Sequence, residues 1–423
     1  HPRPSANDNA SGSAAALEAA RTLHTLIDRD DLPRPRRTLR FLWVPEMTGT
    51  FAYLAGREET LDRIVAGLNL DMVGEDQRQT GASWLIEQPP DAAASFAPML
   101  LGWLRDQLLG LKGMDDVSAT HTGLGSYPLY RQAEVGFSGG SDHMIFADPS
   151  VGVPMPMLIQ WPDRFYHTAA DTPDRTDPHS LGRAATLAAA YAYWLAAAGT
   201  QEAAWLGYEM TARFKTRLTQ TAQAAVTEAL SRDDGASLAQ TLADLDRRLA
   251  YLLDRHKAAL DTLRRLAPVG CPIAPLQAEA ERLARRELAW AKEAVDLRGA
   301  TLSLDGLPDP PRHALSPAEQ EAAGLIPRRR MRGPIYLPHY LGRLDEEDRE
   351  AWRRLLKARK DMAHYTLTIL ALYWADGQRS LLEIADLVEM ETGRRDVELL
   401  LVYFRLLAKL DLLDWQEGKT NRI

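Results

Sequence analysis

Five short polar segments in the first 172 residues contain side chains that could do chemistry. Among their side chains are the carboxylates of Asp8, Glu46 and Asp71 and the imidazole of His167. Oxygen and imidazole ligands suit zinc, or manganese and cobalt. Carboxylates collected in a cleft repel one another, so a cation has to compensate them. One or two ions held there could polarise a water molecule for hydrolysis. The segments are SANDNASG (5–12), VPEMTG (44–49), NLDMVG (69–74), GGSDH (139–143) and FYHTAADT (165–172).

Predicted strands and helices have to bring these segments together. Apolar runs predict strands at 37–44, 68–73 and 155–161, and periodicity predicts helices at 13–26, 58–66, 91–111 and 180–199. Strands separated by helices predict an α/β fold with a mostly parallel sheet over residues 1–200. Ligand crevices in such sheets form at the carboxyl ends of strands, where Glu46, Asp71 and His167 lie. Taken alone, each segment could also be structural, as an Asn/Asp-rich helix cap would be around Asp8.

After residue 200, the sequence pattern changes from alternating strands and helices to long helices. Three long helical patterns at 201–232, 236–266 and 275–298 predict an antiparallel bundle or hairpin for residues 201–300. A packing or oligomerisation element is the simplest interpretation, which leaves a homo-oligomer open. Residues 301–345 are rich in proline and predict a linker. Its basic run, Arg328–Arg332, is typical of a solvated face or an interface.

The last part of the chain, residues 346–423, predicts a winged helix-turn-helix. Helical patterns at 349–360, 363–374, 380–391 and 396–410 are followed by a strand or wing at 412–415. Ser380 and Glu383 form a capping-box pattern. The last helix is mostly apolar and lacks the cations that phosphates require. The pattern therefore favours a protein contact or internal packing, although a nucleic-acid contact through the winged helix stays open.

The composition excludes several classes of protein. The chain has 423 residues, of which 45% are hydrophobic and 26% charged, with a net charge of −8. This balance argues against a general polyanion binder. The one cysteine, Cys271, excludes an intramolecular disulfide and a cysteine-rich zinc site. The alanine-rich stretch 184–199 is shorter than the ~20 residues of a membrane span. We expect a soluble, cytoplasmic protein with no membrane partner.

The order of the five segments resembles the M28 family of zinc aminopeptidases. The longer strings HPRPSANDNASG, FLWVPEMTGTFAYL and the stretch 139–172 are similar to the aminopeptidase-like DUF4910 branch. That branch carries a C-terminal winged-helix unit. The resemblance implies a phosphorylase/hydrolase-like aminopeptidase domain over residues 1–200, with a central mostly parallel sheet. It also implies bound zinc and a substrate cleaved at its free amino terminus.

The resemblance implies roles for particular residues. Asp8 matches the carboxylate that bridges two zinc ions, and the peptide bond after it is expected to be cis. Glu46 matches a ligand of one ion, and Asp71 and His167 match ligands of the other. One or two zinc ions are expected, with Mn²⁺ or Co²⁺ as substitutes.

Further residues are expected around these ligands. Asp142 and His143 match a motif near the site that does not bind the metal directly, and Asp171 is expected to stabilise a loop or support a ligand. A substrate side chain would contact three aromatic residues that could instead belong to the core. They are Trp161, Phe165 and Tyr166.

Two positions depart from the family pattern. Most M28 peptidases have two adjacent glutamates after the second segment's strand, and the first is the general base. Here that position is Pro45, so Glu46 or another acid has to serve as the base. The family also has a metal-binding histidine upstream of Asp8, and the matching residue would lie three positions before His1, outside this sequence. His1 is the remaining candidate ligand, or only part of an extended lead-in before Pro2, and because the chain begins without Met inside this pattern, we expect a truncated N-terminus.

Three hypotheses for the function follow. The first is a zinc-dependent aminopeptidase-like hydrolase in which a metal-activated water attacks a peptide bond. The second is the same chemistry on a related small amide, such as an acylated amino sugar. The third is a protein with a degenerate, non-catalytic metal site that senses a ligand and acts through the winged helix.

Overall fold

The structure is a computed structural model that describes residues 4–115, 130–311, 314–359 and 363–417. It divides into two compact units. The first unit comprises His1–Ala203 with Arg265–Ala267, and the second comprises Ala204–Arg264 with Pro268–Ile423. The predicted boundaries at 301 and 346 remain predictions.

Helices and strands alternate in the first unit. A turn over Ala6–Ser11, here called the site turn, leads directly into the first helix. The helices are α1 (Gly12–Asp28), α2 (Thr48–Ala55), α3 (Gln77–Thr80), α4 (Ala97–Asp115), α5 (His143–Phe146) and α6 (Pro178–Ala197). The strands are β1 (Asn69–Asp71), β2 (Ser83–Glu87), β3 (Gln132–Val135) and β4 (Met157–Trp161). The predicted helix at 58–66 is instead a 3-10 turn over Glu58–Arg63.

The four strands form one mixed sheet in the order β1-β4-β2-β3. β1 pairs with β4 in parallel, with Asp71 opposite Ile159. β2 and β3 are also parallel, whereas β2 and β4 are antiparallel. The sheet is therefore rich in parallel pairs, as predicted, but contains one antiparallel pair.

Helices α1 and α6 pack together beside β1. Their contact is built from small and branched side chains, with Ala19 and Leu23 of α1 against Ala188 and Ala189 of α6. Alanine allows two helices to approach closely. Leu70 of β1 packs against the same cluster, which ties the helical layer to the strand that carries Asp71.

The prediction of a strand at 37–44 is wrong. Leu39 and Phe41 pack against the cluster between α1 and α6, but the segment belongs to no strand of the described sheet. Its alternation of apolar and polar side chains is that of a strand. A strand also needs a neighbouring strand with which to exchange a ladder of hydrogen bonds, whereas the Arg37 N–H donates to the Ala196 carbonyl of α6 at 3.0 Å and residues 37–44 form no ladder in the described part of the chain.

Three long helices form the core of the second unit, close to the predicted positions. They are α7 (Thr200–Leu230), which starts in the first unit, α8 (Gly235–Asp261) and α9 (Ile273–Thr301). Leu218 of α7, Leu249 of α8 and Leu283 of α9 lie in one buried cluster. Asp234 caps α8 by accepting a hydrogen bond from the Ser237 backbone N–H at 2.8 Å.

The rest of the second unit combines five helices with two strands. They are α10 (Pro317–Gly324), β5 (Leu325–Arg329), α11 (Glu346–Lys357), α12 (Ala363–Tyr373), α13 (Leu381–Thr392), α14 (Val397–Lys409) and β6 (Leu413–Glu417). β5 and β6 are antiparallel, and an isolated bridge joins Arg328 to Asp376. The predicted capping box of Ser380 and Glu383 is confirmed at the start of α13.

Helix α14 is enclosed by its neighbours. It contacts α10, α11, α12, α13 and β6, and Leu400 and Phe404 are almost fully buried. Its polar side chains are engaged as well, since Arg405 pairs with Glu321 of α10 and Lys409 with Asp348 of α11. The last helix thus packs within the protein. None of the helices in the described ranges has the length and apolar character needed to cross a membrane.

Candidate active site

Asp71 ends β1, and the site turn is fixed against the outer edge of that strand. Asn9 provides two of the bonds: its Nδ2 donates to the Leu70 carbonyl at 3.0 Å, and its Oδ1 accepts from the Met72 N–H at 3.1 Å. Gly12 lies so close that a Cβ there would overlap the Leu70 carbonyl. Residue 12, the last of the sequence ASG at 10–12, therefore has to be glycine.

Two more side chains extend this contact along the strand. The Val73 N–H donates to Ser11 Oγ at 2.9 Å, and the Gly74 N–H donates to Asn7 Oδ1 at 3.1 Å. Asn7, Asn9 and Ser11 alternate in the turn, so their side chains replace a neighbouring strand. Asp8 lies between them and is thereby held beside the end of β1.

Asp171 supports the turn from the other side. Its two carboxylate oxygens accept the backbone N–H groups of Asn7 at 2.7 Å and of Asp8 at 3.0 Å. Asp171 is almost fully buried. The peptide bond Asp8–Asn9 is cis, which confirms the prediction. His167 reaches the same place, with its Nε2 at 3.3 Å from Asp8 Oδ2.

Glu46 joins the site through the GGSDH segment. Asp142 Oδ1 accepts the Met47 N–H at 2.8 Å, which fixes the backbone directly after Glu46. The Ser141 hydroxyl lies within hydrogen-bonding reach of both the Glu46 and the Asp71 carboxylates. Ser141 is itself held by Asn69 Nδ2 at 2.8 Å. Ser141 and Asp142 thus link the end of β1, which carries Asp71, to the loop that carries Glu46.

The carboxylates raise one another's pKa. Desolvation, with smaller contributions from Asp71, Asp142 and Asp8, raises the pKa of Glu46 to about 7. Desolvation, with smaller contributions from Asp8 and Asp142, likewise raises the pKa of Asp71 to about 6. The pKa of Asp8 is also raised, first by burial. These groups therefore lie close enough to repel, and a cation among them would relieve that repulsion.

The chemistry of this donor set fits a zinc ion, since it offers three carboxylates and an imidazole. The distances between these side chains, however, are not those of an assembled metal site. Within residues 4–115, 130–311, 314–359 and 363–417, no three Asp, Glu, His or Cys side chains lie close enough to enclose an ion. The ligand roles of Asp8, Glu46, Asp71 and His167 therefore remain predictions. His1, the other predicted ligand, lies outside the described residues.

The backbone is strained around the same residues. Seven non-glycine residues in the described ranges have positive φ angles, a conformation that most side chains avoid. Four of them are Ser5, Met47, Met72 and His167. The first precedes the site turn, the next two follow Glu46 and Asp71, and the fourth is itself a predicted ligand. Such strain persists where the surrounding contacts impose it, and it is concentrated at functional sites.

His143 contacts an acid that the sequence did not reveal. It is fully buried, and its Nε2 lies 2.7 Å from Glu87 Oε1 at the end of β2. Glu87 also accepts the Ser138 and Gly139 backbone N–H groups at 2.8 and 3.2 Å. The position of Glu87 after an apolar strand was the signal that could have identified it.

The predicted substrate aromatics differ in exposure. Trp161 and Tyr166 are 42% and 38% exposed, so neither belongs to the core. Their rings meet edge to face at 5.1 Å, and Tyr166 stacks on the His167 ring at 3.7 Å. Phe165 is half-buried beneath the Arg175 guanidinium. Trp161 and Tyr166 thus form an exposed aromatic surface beside His167.

Two solved structures are similar to part of this chain. The chain resembles a solved structure described as a putative peptidase from Clostridium acetobutylicum, with 23% identity, a TM-score of 0.33 and coverage of 45% of this chain and 38% of that chain. It also resembles an aminopeptidase from Aneurinibacillus sp. strain AM-1, with 23% identity, a TM-score of 0.28 and coverage of 46% and 40%.

The chain thus spans about two fifths of the length of the solved structures that it matches. No curated protein matches it. The family comparison is more direct, because it covers every predicted site residue. Residues 1–192 match the model of Peptidase family M28, so the first unit is peptidase-like in sequence.

Proposed function

We propose that the first unit is a zinc-dependent, aminopeptidase-like hydrolase that cleaves a peptide or a related amide. The observation that carries the proposal is the pairing of the M28 match over residues 1–192 with three carboxylates whose pKa values are raised by burial and by neighbouring carboxylates. A cluster of this kind is costly to maintain without a cation. Such clusters are characteristic of functional sites.

Asp8, Glu46, Asp71 and His167 would hold the metal, and His1 is the additional candidate. A bound zinc ion supplies Lewis-acid polarisation of the substrate carbonyl and of a water molecule. The protein's part is to keep the donors in place: the site turn fixes Asp8, β1 fixes Asp71, and Asp142 fixes the backbone that follows Glu46.

Glu46 is the proposed general base. Pro45 occupies the position of the usual base and cannot accept a proton. A catalytic base has to accept a proton from water, and burial, which raises the pKa of Glu46 to about 7 in the metal-free protein, makes this carboxylate a better proton acceptor than an exposed one. Glu46 would take a proton from the attacking water and return it to the leaving amine.

The aromatic surface of Trp161 and Tyr166 would receive the apolar side chain of the substrate. Both rings are exposed beside His167, so a side chain could lie on them while its carbonyl faces the carboxylates. Phe165, which is half-buried, would support this surface from below. We retain peptide and acylated-amine substrates as two outcomes of one screen, because the same site chemistry serves both.

The second unit is proposed as an interaction and packing element within the DUF4910-like branch. Helices α12–α14 with β6 have the order of a winged helix, and β5 extends the sheet. The enclosure of α14 favours internal or protein contacts over DNA. A non-catalytic regulator would be supported if the protein shifted a DNA duplex at low salt, where phosphate contacts are strongest.

The proposal is tested by loading the full chain with zinc and measuring bound metal by elemental analysis and anomalous scattering. We expect zinc at the Asp8–Asp71 edge of the sheet, and release of product from a panel of aminoacyl and acylated-amine amides. Zinc-free protein after loading, together with no turnover across the panel, would move the assignment to a non-catalytic site.

A further inference from the structure

Glu75 is a fully buried acid that the proposed reaction does not use. It lies four residues after Asp71, and its backbone is held by Gln160, whose Oε1 accepts the Glu75 N–H at 2.7 Å. Glu75 Oε1 in turn accepts from Asn7 Nδ2 at 2.6 Å. Asn7 is the residue directly before Asp8. A buried carboxyl is thus one hydrogen bond and one peptide bond away from a predicted ligand.

Glu75 carries a proton at neutral pH. Burial, with a smaller contribution from the neighbouring Asp163 carboxyl, raises its pKa to about 9. Burial and a nearby acid both disfavour the charged form of Glu75, so the proton stays on this carboxyl. Glu75 Oε2 is buried and accepts no hydrogen bond from the described residues, so it is the oxygen that can hold this proton.

We infer that Glu75 is a positioning residue for the proposed reaction, and that it holds the Asn7 side chain and so fixes the place of Asp8. Every polar group of the Asn7 side chain is used in this arrangement. Its Oδ1 accepts the Gly74 N–H at 3.1 Å, and its Nδ2 donates to Glu75 and, at 3.4 Å, to Asp163.

The geometry gives Glu75 a role beyond filling space. Asp171 holds the backbone N–H groups of Asn7 and Asp8, and Glu75 holds the Asn7 side chain, so the turn is fixed from two sides. Without the Glu75 acceptor, the Asn7 amide would be buried with a lost partner and the turn would shift. Groups that orient a metal ligand typically change affinity or activity by about 10-fold to 100-fold when they are removed.

The test compares Glu75→Gln with Glu75→Leu in the full chain. Glutamine keeps an acceptor for Asn7 and a donor for Asp163, as the protonated acid does, whereas leucine keeps only the approximate size. Glu287→Leu is the control, because Glu287 is also buried but lies on α9 in the second unit. Hydrogen–deuterium exchange of residues 5–12 and kcat on the aminoacyl panel are measured for each variant.

We expect E75L to speed exchange of residues 5–12 by about tenfold. It should also lower kcat by about 10-fold to 100-fold with KM nearly unchanged. E75Q should leave both near wild type, and E287L should change neither. Unchanged exchange in E75L, or an E75Q variant as impaired as E75L, would overturn the inference. The kinetic arm rests on the proposed function, whereas the exchange arm decides the role of Glu75 even if the wild type cleaves nothing.

Discussion

Replacing Asp71 with asparagine should stabilise the metal-free protein. Asp71 is 9% exposed, and its pKa is raised from 3.8 to about 6, first by desolvation. In the folded state it therefore binds its proton more tightly than in the unfolded state. Stability is greatest while both states are protonated and falls as pH rises through the window from about 4 to about 6. At pH 8 the charged carboxylate is a net cost to folding.

The size of this cost follows from the pKa shift. About two pKa units at about 1.4 kcal/mol each correspond to about 3 kcal/mol. Asparagine removes the charge but also weakens the hydrogen bond with Ser141, which is worth about 1 kcal/mol. We therefore expect D71N to raise the free energy of unfolding by about 2 kcal/mol at pH 8 and to lose this advantage at pH 4.

The assay is urea denaturation of the full chain after treatment with a chelator, at pH 8 and at pH 4. Asp309→Asn, in an exposed loop of the second unit, is the control and should change neither value. Added zinc should stabilise the wild type more than D71N, because binding to the folded state adds to its stability. If D71N is less stable than the wild type at pH 8, or if its effect is the same at both pH values, the electrostatic reasoning is refuted.

Three further predictions follow from other contacts. Asp171→Asn should destabilise the first unit by about 1 to 3 kcal/mol, because one of the Asn7 and Asp8 backbone N–H groups then faces an NH₂ group. Thermal melts compare this variant with the exposed control Asp174→Asn. Equal melting temperatures of the two variants would contradict the prediction. Leu400→Ala, in the enclosed helix α14, should cost about 2 to 5 kcal/mol. The control Leu297→Ala, on an exposed face of α9, should change the free energy of unfolding by less than about 0.5 kcal/mol. If the two substitutions lowered the free energy of unfolding equally in denaturation, the packing described for α14 would be contradicted. The rate kcat/KM should not fall as pH rises from 5 to 7, because the deprotonated Glu46 is the active form and a bound cation lowers its pKa below the value of about 7 that burial gives it without metal, and a rate that falls over this range would exclude Glu46 as the base.

The local motifs were predictable from the sequence because their physics is local. The polar segment around Asn9 and Ser11 directly before a helix was visible in this way, but its contacts with β1 join residues 61 and 62 positions apart and were not predictable. The capping box at Ser380 is local in the same way. The long helices of the second unit were predictable because each has an apolar stripe that repeats over many turns.

The remaining features depend on distant parts of the chain. The segment 37–44 has the pattern of a strand, but pairing is decided by a neighbour and not by its own residues. Glu75 and Asp163 are 88 positions apart, and only the folded sheet brings both to Asn7. Glu87 and His143 likewise meet only after β2 and α5 are packed. Buried polar networks of this kind leave little trace in composition or periodicity.

Hydrolysis of aminoacyl-nitroanilides by the zinc-loaded full chain, compared with its Glu46→Gln variant, tests the central claim most directly. We expect the wild type to release nitroaniline, the chelated protein to lose this activity, and the variant to be slower by about 10²-fold to 10⁴-fold, the usual contribution of a general base. Without metal, the variant should be at least as stable as the wild type at pH 8, because it lacks a carboxylate whose pKa is raised by burial. A wild type without turnover when zinc is bound, or a Glu46→Gln variant with full activity, would contradict the account.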